Sequence, residues 1–358
     1  MARVEFPEEA LELRGGGGHA FRFGPGYLTI PGAHLYRAAR ESRRGMGLEE
    51  GAHRVIETCL AVKSGEKLVV VADARTQAVG QALFGAALAA GAHAVLALVP
   101  APARAGEEPP DPLARMMADC DVVILATSHS MTHTAARRMA NRAGARIASL
   151  PGVTEAMLSE GALTADYIEI QKTTRRLERR LRGAKTVHLT TAAGTDLTFD
   201  VTRRDWVTDD TGVCHRRGET TTLPAGEIFV APLEGSADGR VVFDATFHER
   251  LSEPASVVVK EGYASKVTGA PLAVQEMNRG GRDGRNFGKF GLGLNPRARI
   301  TGNVLEDEKV LGAVHIVFGD NAAYGGTVRC GVRVDGILTQ ASIAVDGKPI
   351  MERGALNV

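Results

Sequence analysis

Arg333 and Asp335, in the stretch "GVRVDG" (331–336), place a guanidinium two residues from a carboxylate. Val332, Val334 and Ile337 mark the stretch as a strand, so both charges point to one face. A solvated face or a structural ion pair accounts for such a couple, since charged residues are mostly exposed; on a buried face it needs a further reason. "RGGRDGRNFG" (279–288) is rich in Gly and Arg and could cradle an anion, but it lacks the GK[ST] ending of a phosphate loop and reads as a flexible loop. Cys214 and His215 are adjacent, so on a strand they point to opposite faces. Arg175, Arg176, Arg179, Arg180 and Arg182 crowd the second half of a predicted helix. Basic residues suit the negative end of the helix dipole, and the run reads as a solvated face.

The elements that must position these groups fall into two kinds. From residue 51 the pattern is regular: "KLVVVAD", "AVLALVP", "DVVILAT" and "ARIASLP" alternate with helical stretches such as "TQAVGQALFGAALAAGA". Strands without polar alternation, separated by helices, mark a parallel sheet covered on both faces. The turn after the first strand, "ADARTQAVG", is not the GxGxxG of a dinucleotide site, and neither GxSxG nor HExxH occurs. Residues 166–184 read as one long helix. Beyond it the chain breaks into short β runs, beginning with a hairpin around Gly194. The expected organisation is an N-terminal arm (1–50), a parallel-sheet α/β domain (51–184) and a β-rich domain (185–358) carrying the pocket.

"LPAGEIFVAP" (223–232), "GKFGLGLNPRARITGNVLEDEKVLGAVHIVFGDNAAYGG" (288–326) and "GVRVDGILTQASIAVDGKPI" (331–350) together resemble the aminopeptidase T family of metallopeptidases. They also resemble its related branch, the 2,5-dihydroxypyridine ring-cleaving dioxygenases. The likeness extends upstream through "VKSGEKLVVVAD" and "TTAAGTDLTF". The resemblance implies a Glu in the "LPAGE" segment, where Glu227 stands, and a His in "GxxHIxxG", where His315 stands. It also implies a second Glu (peptidases) or an Fe(II)-binding His (dioxygenases) just before the "FGxGLNP" turn; this chain has Lys289. The family's C-terminal His-x-Asp pair is Arg333-Val-Asp335 here. Tyr324 lies near the peptidases' catalytic Tyr.

Arg has no lone pair to offer and stays protonated, and Lys could coordinate only as a free amine. Of the iron ligands the resemblance implies, only Asp335 remains, and the two-metal peptidase site loses two ligands as well. The resulting expectation is a metal-independent, cofactor-free hydrolase of a small amide, peptide or nitrogen heterocycle. Lys289, Arg333 and Tyr324 would bind and polarise the substrate, while Asp335, Glu227 and His315 handle the proton and the water. Lys289 with a lowered pKa is a further base or nucleophile. The alternatives are a single-metal (Zn or Mn) aminopeptidase-like hydrolase on Glu227, His315 and Asp335, an Fe(II) ring-cleaving dioxygenase-like enzyme, and a non-catalytic small-anion binding protein.

The whole-chain numbers limit the partners. Forty-three basic and 42 acidic residues leave a formal charge of +1, no footprint for nucleic acid or an acidic membrane surface. No apolar run approaches the roughly 20 residues of a membrane span, and the start, "MARVEFPEEALELRGGGG", has acidic residues where a signal peptide is basic. Four widely spaced cysteines fit reduced cytosolic thiols. A cytoplasmic homodimer acting on a small molecule is the expectation.

Overall fold

Strands β1 (Lys67–Asp73), β2 (His93–Val99), β3 (Val122–Ala126) and β4 (Arg146–Ser149) alternate with helices Gln77–Ala89, Asp111–Asp119 and Ala135–Ala143 in the computed structural model, which describes residues 47–357. All but the last four positions of the expected N-terminal arm therefore lie outside the described residues. The four strands are parallel, in the order β2-β1-β3-β4. Alternate residues of one strand feed two different cores. Leu68 and Val70 of β1 face the larger core, with Val79 and Leu83 of the first helix. Val69 and Val71 face the other, with Leu113, Met117, Ala136 and Ala140 of the next two helices. Burial on both faces removes the polar alternation of β1, β3 and β4, whereas β2, at the sheet edge, is apolar but partly exposed, with Val95 and Leu98 open to solvent. Thr134 caps its helix by accepting from the Arg137 amide, and Gly144, at φ 105°, closes it.

Helix Tyr167–Leu181 starts where the Asp166 carboxylate accepts from the Ile168 and Glu169 amides. Its arginine run lies on the exposed side. The chain then forms the antiparallel hairpin β5 (Thr186–Thr190) and β6 (Asp196–Asp200), turning at Gly194. Strand β7 (Thr220–Thr222), beyond the expected boundary near 185, returns to pair in parallel with β4 and completes a five-stranded sheet.

The remainder is antiparallel. Its strands are β8 (Glu227–Val230), β9 (Asp238–Phe243), β10 (Thr246–Phe247), β11 (Glu249–Arg250), β12 (Ala255–Lys260) and β13 (Tyr263–Thr268). After helix Pro271–Arg279 come β14 (Phe287–Gly293), β15 (Val314–Gly319), β16 (Arg333–Leu338), β17 (Ser342–Val345), β18 (Lys348–Glu352) and β19 (Ala355–Leu356). They form a six-stranded sheet, β11-β10-β16-β15-β14-β8, and an eight-stranded one, β13-β12-β9-β6-β5-β17-β18-β19. The fold is thus α/β, a parallel-sheet N-terminal part followed by a β-rich part. No helix among the described residues is long and apolar enough to cross a membrane.

Candidate active site

Period-two alternation on the six-stranded sheet brings the sequence-selected residues together. Lys289 and Asp335 both pair with Val317, from opposite sides; His315 lies two residues before Val317, and Arg333 two before Asp335. Glu227 pairs with Gly293, four residues beyond Lys289. All five therefore stand on one face of the four neighbouring strands β8, β14, β15 and β16. The glycines of "FGLGLNP" make the room. A methyl at Gly291 would meet Glu227 Oε1 at 2.1 Å, and one at Gly293 would meet the Val310 carbonyl at 2.1 Å. On the other face of β16, Gly336 leaves space for the Phe243 ring, 2.4 Å from where a Cβ would stand.

The carboxylates and cations of this face are nearly dry. The Lys289 side chain is 3% exposed, His315 0%, Glu227 1% and Asp335 15%, with Arg333 at 41% forming the rim. Lys289 Nζ donates to Glu227 Oε2 at 2.8 Å. His315 Nδ1 lies 2.9 Å from Glu227 Oε1, and Nε2 lies 2.8 Å from Asp335 Oδ1. Arg333 Nε spans both Asp335 oxygens at 2.9 and 3.1 Å, and a terminal nitrogen donates to the Tyr324 hydroxyl. Tyr324 lies edge-on to Phe229, whose ring centroid is 4.1 Å from Lys289 Nζ. Arg333 and Asp335, first read as a couple that a solvated face would explain, are thus the outer end of a buried chain running through His315 to Glu227.

Three further members escaped the sequence reading: Glu308, Lys309 and Asp210. Lys309 Nζ lies 2.7 Å from Asp210 Oδ2, 2.8 Å from Glu308 Oε1 and 3.3 Å from Glu227 Oε2. The segment carrying Glu308 and Lys309 is pinned by backbone bonds from the Asn295 amide to the Lys309 carbonyl and from Leu311 back to Asn295. The Asp210 carbonyl accepts from the Gly226 amide. In the sequence they stand in "LEDEKVLG", a charge run like those of a solvated face; the structure buries all four of Glu306, Asp307, Glu308 and Lys309.

Four carboxylates (Asp210, Glu227, Glu308, Asp335) thus face four cations (Lys289, Lys309, His315, Arg333). Burial opposes ionisation of Glu227, yet Lys289, Lys309 and His315 outweigh it and bring its carboxyl down to about 2. Asp335 is likewise held well below the usual carboxylate range, burial being overcome by Arg333 and His315. Burial and Lys289 disfavour a charged His315, but Glu308, Glu227 and Asp335 raise it to about 9. The imidazole is therefore doubly protonated at neutral pH. Asp210 goes the other way: burial dominates over Lys309 and lifts its carboxyl to about 6. Glu308 Oε2 is buried and accepts no hydrogen bond among the described residues, although it lies 2.9 Å from His315 Nδ1.

Glu227, Glu308 and His315 could hold a metal ion by spacing, their ligand atoms lying within 4.8 Å of one another. Asp335 meets the opposite edge of the imidazole and is not part of that trio. The space among the three already holds a cation: Lys289 Nζ is 2.8 Å from Glu227, 3.1 Å from His315 Nδ1 and 3.6 Å from Glu308. While the Lys289 ammonium keeps that position, the trio has no space for a divalent ion.

The cavity beside them, about 290 Å³, is lined by Asp210, Phe229, Lys289, Glu308, Tyr324 and Arg333 among others. The adjacent Cys214–His215 pair takes no part. The Cys214 thiol is buried and raised to about 11 by that burial, while His215 bonds the Thr58 carbonyl.

Residues 48–358 match the family model described as 2,5-dihydroxypyridine 5,6-dioxygenase. Among solved structures, the chain resembles 2,5-dihydroxypyridine dioxygenase from Pseudomonas putida at 19% identity and a TM-score of 0.70, covering 87% of this chain and 97% of that one. It also resembles wild-type AmpT from Thermus thermophilus at 18% identity and a TM-score of 0.62, covering 87% of this chain and 99% of that one. At these identities the structural likeness is one of fold. A search of curated proteins returned no match.

Proposed function

From the premise that this chain belongs to the 2,5-dihydroxypyridine 5,6-dioxygenase family, we propose that it is a metal-independent hydrolase of a small amide, peptide or nitrogen-heterocyclic substrate. The observation that carries this reading is the Lys289 ammonium among Glu227, Glu308 and His315. Where a divalent cation would gather these groups, a tethered monovalent one does so.

The substrate carbonyl enters past Tyr324, and its oxygen accepts from Arg333 and Lys289, which stabilise the charge developing on it. Glu227, His315 and Asp335 are poor proton acceptors here, because cations hold both carboxylates low and the imidazole is already protonated. Asp210, whose carboxyl sits at about 6 on the cavity wall, takes the role near neutral pH. Water adds to the carbonyl carbon as its proton passes to Asp210. The carbon–nitrogen bond then breaks, and Asp210 returns the proton to the leaving nitrogen.

Chelator-dialysed protein should turn over small amides or lactams, with Zn, Mn and Fe well below one equivalent by elemental analysis. Stoichiometric retained metal with chelator-sensitive turnover would instead support a single-metal reading with Zn or Mn, on Glu227, Glu308 and His315 by their 4.8 Å spacing rather than on the expected Glu227, His315 and Asp335; iron with dioxygen consumption would support ring cleavage. Amides that raise the melting temperature and return unchanged would mark a binding protein. The same reading makes the protein a cytoplasmic homodimer, which light scattering on purified protein tests for the dimer.

A further inference from the structure

A second cavity among the described residues shares no lining residue with this site. It measures about 380 Å³ and is lined by Lys260, Glu261, Tyr263, Arg282 and Arg285. Both of its walls are fixed by backbone bonding. Lys260 and Tyr263 face each other across the β12–β13 hairpin, whose two-residue turn, Glu261 and Gly262, has φ of 48° and 76°. Positive φ at both positions matches the tight turn whose twist suits a hairpin. Arg282 and Arg285 come from the other wall, the single 3-10 turn Asp283–Arg285 leading into β14. That wall is tied to the hairpin by the Phe287 amide donating to the Gly262 carbonyl at 2.8 Å. The Gly- and Arg-rich stretch 279–288 is thus a helix end, a turn and a strand, not a flexible loop.

The cations are preset. The Arg282 guanidinium sits over the Tyr263 ring, 4.4 Å from its centroid. Arg285 is aimed by its bonds to the Ala264 carbonyl and Asn278 Oδ1, both at 2.9 Å. Among the described residues, no carboxylate pairs with Lys260, Arg282 or Arg285; the one acid lining the cavity is Glu261. Three cations against one acid leave a surplus of two positive charges, whereas the cations of the active-site cavity are all paired. Arginine forks converging on a cavity of this size suit a small oxyanion carrying several charges.

We propose that this cavity is a second binding site, for a small polyanion presenting phosphate or clustered carboxylate groups. Calorimetric titration of the full chain with inorganic pyrophosphate and, separately, with citrate tests it. Saturable one-to-one binding that weakens with added salt is expected for at least one of the two, and the tighter ligand identifies the source of the charge. Lys260→Ala with Arg282→Ala, both at exposed positions, should weaken it roughly tenfold or more, the size of lost charge-assisted hydrogen bonds. Arg333→Ala should leave it unchanged. No binding at millimolar ligand would overturn the proposal. So would binding that survives the double substitution or disappears with Arg333→Ala. A concentration-dependent association abolished by the double substitution, without anion binding, would reassign the surface to a protein contact. None of these outcomes depends on whether the other cavity hydrolyses an amide.

Discussion

Lys289 and Lys260 carry the same ammonium into cavities of about 290 and 380 Å³, and their surroundings differ in kind. Lys289 is enclosed by Glu227, Glu308 and His315 and belongs to a set in which carboxylates and cations balance. Lys260 is exposed and shares its cavity with two arginines and one acid. Enclosure makes charge costly unless it is paired, several kcal/mol per ion before the partners compensate, so the buried cavity is self-neutralised. At the surface water carries that cost, and a surplus can stand ready for a ligand. A closed network gives fixed donors and one group, Asp210, whose proton affinity lies near neutrality; an open surplus gives attraction.

The sharpest break would be at Asp210. Asp210→Asn keeps the shape and leaves Lys309 still paired with Glu227 and Glu308. Turnover should fall by roughly a hundred- to ten-thousand-fold, the usual worth of a positioned proton acceptor. Steady-state kinetics should place that loss in kcat, with KM little moved. Lys289→Ala strikes the balance directly. Glu227 and Glu308 would be left to Lys309 and His315 alone, one buried cation short, at a cost of at most about 3–5 kcal/mol in urea unfolding. Micromolar Mn²⁺ or Zn²⁺ should restore part of it, because the vacated space is a set of carboxylates at metal-binding separation; a variant indifferent to metal would show that the ammonium is not standing in for one.

His315 makes the closed network pH-dependent. Its value is raised from 6.5 to about 9, so the stabilisation it contributes is complete below pH 6.5 and is lost as pH rises through 9. The loss should be on the order of 3 kcal/mol at most, from the linkage between pKa and stability. Unfolding curves between pH 6 and 10 should show the decline, and His315→Gln should flatten it.

Much of the fold could be read from the residues. Continuous apolar runs identified β1 to β4, in β1, β3 and β4 because both faces of the sheet are buried there. β7 was not visible: it is "TTT", with no apolar run, and it joins the sheet through its place beside β4. In the site, Glu227, Lys289, His315, Arg333 and Asp335 were legible because motif order and strand alternation bring them together. Glu308, Lys309 and Asp210 were not. Four consecutive charges carry no sign of enclosure in the sequence, and the burial of Glu308 and Lys309 depends on remote features: the missing side chain of Gly293 and the backbone bonds of Asn295. Sequence reports a charge, whereas its enclosure is decided by chain folded over it from elsewhere.

The smallest effect bears most directly on the contrast between the cavities. Lys260→Ala removes the same ammonium as Lys289→Ala, but from an exposed position without a paired carboxylate among the described residues. Unfolding free energy should move by no more than about 0.5 kcal/mol, as for surface substitutions generally. The direction is informative as well. Relieving repulsion from Arg282 and Arg285 should make the change neutral or slightly stabilising at low salt and erase any gain at high salt, where surface charges are screened. A loss approaching that of Lys289→Ala would mean that Lys260 has a structural partner and that its cavity is not open. A small gain that fades with salt would confirm a cation held in place at a cost to stability, which a site for an anion requires and a structural contact does not.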